Sequence, residues 1–131
     1  MMGTSPDTNG GVSAVIKVYM ETGLFGRFPI RYITTHREGS AKGKLRAMAP
    51  AYMAFLGMLL RGEVALAHIH VSSRASFWRK YPLFLMARLW RIPAILHLHS
   101  GAFPVFYEQE CGPVRRWLIR SLHNRVDRVV V

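Results

Sequence analysis

The sequence has one cysteine, few acids and no long apolar run, and each shortage excludes something. Cys111 stands alone, so no disulfide can close within the chain. That usage suits a reducing compartment. Seven acidic residues face 18 basic ones, a formal net charge of +11. Such a balance points to an anionic partner: a phosphate, a nucleotide, an anionic membrane surface or nucleic acid. The longest apolar run, Met48 to Leu60, contains Pro50 and is shorter than the ~20 residues a spanning helix needs. Leu83 to Leu96 is interrupted by Arg88 and Arg91. No transmembrane segment is expected. The polar, glycine-rich start, Met1 to Gly11, does not read as a signal peptide. There is no G-x-x-x-x-G-K-[ST] loop, no G-x-G-x-x-G and no G-x-S-x-G elbow. Simple NTPase, dehydrogenase and serine-hydrolase readings therefore lack their signatures.

What is present is a globular composition, with 50% of 131 residues hydrophobic, enough for one domain with a real core. After the turn-like Ser5 to Asn9 and then Gly10-Gly11, the positions Val12, Val15, Ile16 and Tyr19 mark one helical face. A helix is expected from there to about Gly23. Arg31 to Thr35 reads as a short strand, His36 to Gly43 as a loop, and Lys44 to Leu60 as a largely buried helix. Val64 to Val71 is a near-continuous apolar strand of the kind a parallel sheet covers on both faces. Ser72 to Ser76 is a loop, with Ser73 or Ser76 as candidate N-cap for a helix over Phe77 to Trp90. Then come a strand, Ala94 to His99, and an aromatic-rich loop through Tyr107. A basic helix, Pro113 to Asn124, has Val114, Trp117, Leu118, Ser121 and Leu122 on one side, and a last strand starts at Asp127. Alternating strands and helices predict an α/β open parallel sheet with helices on both faces. Only Met1-Met2 remains as the tail of a first strand, so the chain is expected to be part of a longer protein.

Ligands of such sheets bind outside the C-terminal ends of the strands. The loops there, Asp7–Gly11, Thr35–Gly43, His70–Ser76 and His99–Tyr107, with their strand ends, hold five of the six histidines. The opposite edge carries ordinary connectors. Two His-x-His pairs, His68/His70 and His97/His99, each place two imidazoles on one face of a strand. His68 and His97 lie further down and are expected to be packing residues, while His70 and His99 face a crevice. Paired His-x-His motifs also match metal-ligand spacing, but Glu63, Glu108 and Glu110 lie off those strands, and no metal is expected. Arg74, Arg79 and Lys80 begin the helix after His70. Arg115, Arg116, Arg120 and Arg125 line the basic helix. A solvated face is the plain reading of that second group. Contact with anionic lipid, aided by Trp117, Phe103, Phe106 and Tyr107, is the functional one. Nucleic-acid binding lacks any recognisable motif and is not expected.

Gly10-Gly11-Val12, the run Ala67 to Lys80 (A-H-I-H-V-S-S-R-A-S-F-W-R-K), Ile95 to Phe103 (I-L-H-L-H-S-G-A-F) and Phe106-Tyr107 resemble the N-terminal half of glycosyltransferase family 4. These are retaining, nucleotide-sugar-dependent enzymes of the GT-B fold, common in bacterial polysaccharide and exopolysaccharide synthesis. The resemblance implies a single Rossmann-like, acceptor-side domain over residues 1–131, truncated at both ends, with the C-terminal donor domain absent and the fragment alone inactive. It implies that Gly10 and Gly11 approach the donor diphosphate, and that His99 is the catalytic residue, contacting the donor sugar near the reacting carbon. His70, Arg74, Arg79 and Lys80 would face the acceptor, a polyprenyl-diphosphate-linked sugar being one candidate. The partners would be a nucleotide sugar, as donor substrate rather than cofactor, and an anionic membrane surface. The protein would be cytoplasmic and peripheral on the inner face of the membrane. Ala65 departs from the family, many of whose members open this strand with an acid. The alternative expectation is a nonenzymatic basic α/β module that binds a phosphorylated ligand or an anionic membrane.

Overall fold

A computed structural model describes residues 1–36 and 41–131, without the side chains of residues 36, 41–45 and 47. The described residues form five strands, six α-helices and one π-helical turn. Every strand pairing within the two compact units, Met1–Glu63 and Val64–Val131, is parallel. The fold is α/β, with a Rossmann-like open parallel sheet.

The first unit runs β1 (Met2–Thr4), α1 (Gly11–Glu21), α2 (Leu24–Arg27), β2 (Ile33–His36) and α3 (Ala41–Leu60). β1 is a real strand, longer than the Met1-Met2 remnant expected, and pairs Met2 with Ile33 and Gly3 with Thr34. Its brevity hid it, since three residues show no periodicity. The Tyr32 hydroxyl donates to the Thr4 carbonyl at 2.5 Å, and Thr35 Oγ1 to the Gly3 carbonyl at 2.9 Å. A Cβ at position 3 would collide with the Tyr32 hydroxyl, so glycine permits this approach. Met2, Ile16, Met48, Phe55 and Leu59 form the buried apolar set. α3 starts three residues before the expected Lys44. The expected loop His36–Gly43 lies partly outside the described residues, and residues 41–43 are helical.

The second unit runs β3 (Ala67–Val71), α4 (Ala75–Leu89), β4 (Ala94–Leu98), α5 (Phe103–Val105), the π-helical turn Phe106–Glu110, α6 (Pro113–His123) and β5 (Arg128–Val130). β3 and β4 pair Ala67 with Ala94, Ile69 with Leu96, and His70 with His97. Period-2 alternation then sorts the side chains. Ala67, Ile69, Val71, Ala94 and Leu96 share one face and are buried, each large aliphatic contributing about 1.5–3 kcal/mol. The histidines take the other face. Asp127 fixes the start of β4, its Oδ2 accepting from Ala94 N–H at 2.8 Å.

Two stretches of this unit differ from expectation. The aromatic segment after His99 is helical, not a loop, and turns inward. Phe103 and Phe106 are buried against Phe77 and His123, with ring centroids 5.6 Å apart for Phe77–Phe103 and 5.8 Å for Phe103–His123. Neither ring is free to meet a membrane. α6 buries Ile119 and Leu122 and turns Val114 and Trp117 outward, at 71% and 59% exposure. Of the apolar side read from its sequence, Leu122 packs and Leu118 and Ser121 are half-buried, whereas Val114 and Trp117 are not part of the packed face. Arg116 is held inward too, donating to the Tyr107 and Glu108 carbonyls of the π-helical turn.

Candidate functional site

The register His70↔His97 sets four imidazoles on one face of two adjacent strands. His68 Nε2 lies 3.1 Å from His97 Nδ1, and His70 Nδ1 lies 2.7 Å from His99 Nε2. Along the strands, the ring centroids of His68 and His70 are 4.4 Å apart and those of His97 and His99 4.0 Å apart, both pairs stacked. The result is a single array of four rings rather than two inner and two outer histidines. The burial order also differs from expectation. His70 is fully buried, while His68, His97 and His99 are half-buried.

Each imidazole–imidazole bond needs one N–H donor and one bare nitrogen, so at least one ring of each pair is neutral. Burial lowers the pKa values in the same direction. His70 falls to about 2 through burial and then through the charges of His68 and the other rings, and His68 and His99 fall to about 4. Burial lowers His97 as well. At neutral pH these rings give and accept hydrogen bonds and carry no charge.

Lys80, from α4, is 1% exposed. Its amine donates to Ser76 Oγ at 3.4 Å. Burial, followed by the charge of Arg79, lowers it to about 7. It lies close enough to press the pKa values of His70 and His99 down by its charge. The structure thus brings His70, His99 and Lys80 together. Arg79 is half-buried on α4. Arg74 is exposed and forms a two-pronged ion pair with Glu110 of the π-helical turn, Nε reaching Oε2 at 2.8 Å. It is also the N-cap of α4, with φ 56° and ψ −127°, a backbone region that glycine occupies far more easily and that costs a side-chain-bearing residue about 1–3 kcal/mol. No serine caps this helix. Ser76 instead accepts from Ser72 N–H at 3.2 Å, and Ser73 Oγ meets Ser100 Oγ at 3.2 Å, tying together the loops that follow β3 and β4.

In the first unit, Gly10 and Gly11 are exposed at the start of α1. The first turn contains no acid and no side-chain cap, so its N–H groups and positive dipole end face outward. Gly10 has φ 155° and open space around it; its backbone rather than crowding demands glycine. The loop before it is locked by hydroxyls. The Ser5 carbonyl accepts from Thr8 N–H (3.2 Å) and lies 2.8 Å from Thr8 Oγ1 and 3.0 Å from Ser13 Oγ, which are 2.6 Å from each other, so the two hydroxyl hydrogens are shared among these three contacts.

Sequence reasoning expected His68 and His97 to be packing residues and did not foresee that they hydrogen-bond each other within the array. The signal was present in the repeated His-x-His, but which histidines face each other depends on strand register. No family model, curated protein or solved structure matches the chain at a significant level. Among the described residues no helix is long and apolar enough to cross a membrane.

Proposed function

We propose that this chain is the N-terminal, acceptor-side part of a retaining glycosyltransferase. It would transfer a sugar from a nucleotide diphosphate sugar to an acceptor hydroxyl, in polysaccharide or exopolysaccharide synthesis on the cytoplasmic face of a membrane. The observation that carries this reading is the set of imidazoles at the C-terminal ends of two parallel strands, where α/β sheets bind ligands. His99 is half-buried and neutral, suited to hydrogen-bond a sugar hydroxyl beside the reacting carbon while His70 fixes its ring. The outward N–H groups of Gly10 and Gly11 suit a diphosphate, whose departure with growing negative charge is what fixed dipoles stabilise. Arg79 would add positive charge near the acceptor, while Lys80, buried and with its pKa lowered to about 7, would lie beneath the site rather than face the acceptor as its position in the sequence suggests. Arg74 is available to a phosphate only by leaving Glu110.

The test is transfer of labelled sugar from a panel of nucleotide diphosphate sugars to polyprenyl-diphosphate-linked acceptors by the product of the whole gene. His99→Ala should lower transfer at least a hundredfold with the circular dichroism unchanged. Full activity in that variant, or no transfer with any donor, overturns the reading.

One observation favours the second reading, a basic module on an anionic membrane. Val114 and Trp117 are exposed among Arg115 and Arg120, a pattern that suits interfacial binding. Co-sedimentation with anionic but not neutral vesicles, lost in Trp117→Ala, would support it.

A further inference from the structure

The histidine array contains more than one sugar contact requires. His99 alone takes the role proposed above, and three further rings converge beside it. His68, His70 and His97 each offer a ring nitrogen, and these three atoms lie within 4.8 Å of one another.

We infer that His68, His70 and His97 form a three-histidine site for a divalent transition-metal ion. Two of the ligands are almost in place. Ligand nitrogens about 2.0–2.1 Å from a tetrahedral ion sit about 3.3 Å apart, and His68 Nε2 and His97 Nδ1 are already 3.1 Å apart. The ion replaces the hydrogen these two nitrogens share and sits off the line between them, where it reaches both at about 2.0–2.1 Å. The displaced proton moves to the other nitrogen of its own ring, so no net proton is released and both ligands stay neutral. The third nitrogen needs to draw in by at most about 1.5 Å.

The rings project from rigid elements. Their backbones belong to adjacent parallel strands in a fixed register, the kind of scaffold that holds a constellation in place. An outer partner is also built in. His70 Nδ1 is 2.7 Å from His99 Nε2. With Nδ1–H donating to His99, His70 keeps its lone pair on Nε2, which is how second-shell hydrogen bonds set the tautomer of a ligating imidazole. His99 is therefore a positioning residue for the metal.

The donor set selects the ion. Three imidazoles with no carboxylate or thiolate suit Zn²⁺, Cu²⁺, Ni²⁺ or Co²⁺ and not Mg²⁺ or Ca²⁺, which need oxygen ligands. Three protein ligands leave a fourth position for water or another small donor. The sequence-level expectation of no metal rested on the lack of a nearby acid. Convergence of three rings removes that requirement.

The experiment uses the full chain, purified without a polyhistidine tag and titrated with Co²⁺ alone. One equivalent should bind, with the visible ligand-field bands of a low-coordinate nitrogen site, and Zn²⁺ should displace it while Mg²⁺ should not. His97→Ala and His68→Ala, at half-buried positions, should each weaken binding at least tenfold with the circular dichroism unchanged. His99→Gln should weaken it several-fold, and His123→Gln should leave it unaltered. Absence of saturable binding, or binding that survives undiminished in a folded His97→Ala chain, overturns the site. The readout is independent of sugar transfer, so this proposal and the glycosyltransferase reading can fail separately.

Discussion

The two compact units bury polar groups of opposite kinds. Among the described residues of Met1–Glu63 the buried polar side chains are hydroxyls: Ser5, Thr8, Ser13 and Thr35. They bond to carbonyls and to one another. In Val64–Val131 they are His70 and Lys80, bases that would be charged in water at some accessible pH. A hydroxyl keeps its charge and its hydrogen bonds across the whole neutral range. A buried base does not, because protonation is what burial opposes. The first unit spends its buried polarity on holding a loop, and the second on a cluster whose properties change with pH. The chain's amino terminus is the exception in the first unit: burial lowers it to about 6.

Acid should expose this contrast most strongly. The folded-state pKa values of His68, His70 and His99 are depressed to about 4, 2 and 4. Below an unfolded value near 6.5 the unfolded chain therefore binds more protons, and stability falls with pH. Each ring contributes up to about 1.4 kcal/mol per pH unit. All three tryptophans, Trp78, Trp90 and Trp117, lie in the second unit. Denaturant unfolding followed by tryptophan fluorescence should thus show a clear loss of stability between pH 7 and pH 5. A flat midpoint across that window would erase the distinction between the units.

Lys80→Met comes next in size. The wild-type amine titrates near 7 when folded and near 10.5 when unfolded, so stability rises as pH climbs through that interval. Methionine keeps the stem and removes the buried amine. It should raise stability at pH 7 by about 1–3 kcal/mol and abolish the rise between pH 7 and 10. Thermal melts at both pH values check this, and an unchanged or lower midpoint at pH 7 would show that the amine contributes more than it costs.

Ser13→Ala tests the other unit. It removes a buried hydroxyl that bonds Ser5 and Thr8 and should cost about 1–2 kcal/mol. Unlike the histidine effect, the loss should be equal at pH 5 and pH 7, which two denaturation curves would establish. The smallest effects are expected at Arg74. Its ion pair with Glu110 is exposed, and such pairs contribute little, so Arg74→Ala should leave the melting midpoint unchanged. Arg74→Gly should raise it slightly by relieving the positive-φ backbone. A lower midpoint for glycine than for alanine would remove the strain argument.

Much of the fold was legible because it is written locally. The apolar runs at Ala67–Val71 and Ala94–Leu98 and the helical spacing at Val12, Ile16 and Tyr19 are read without any partner. The expected segments that became strands or helices differ mainly at their ends. β1 was nearly invisible, because three residues carry no period. Phe103 and Phe106 looked like a loop's exposed aromatics and proved to be core, because Phe77 reaches both of them and His123 reaches Phe103 from two other helices. The apolar side of α6 was half right for the same reason: it contained Leu122, but the packed neighbours chose Ile119 beside it and left Val114 and Trp117 outside.

The histidines divide the two kinds of information most clearly. That His68 shares a face with His70, and His97 with His99, follows from the twofold period of a strand, a property of any single segment. That His68 meets His97 and His70 meets His99, each 29 residues away, follows from the register between β3 and β4. Backbone hydrogen bonds between distant segments set that register, and the helices packed around it set which ring loses its water. The sequence by itself determined which chemistry was available and on which side of each strand. Tertiary structure decided that four separate imidazoles became one array, because only pairing brings them within reach, and burial holds them uncharged further into acid.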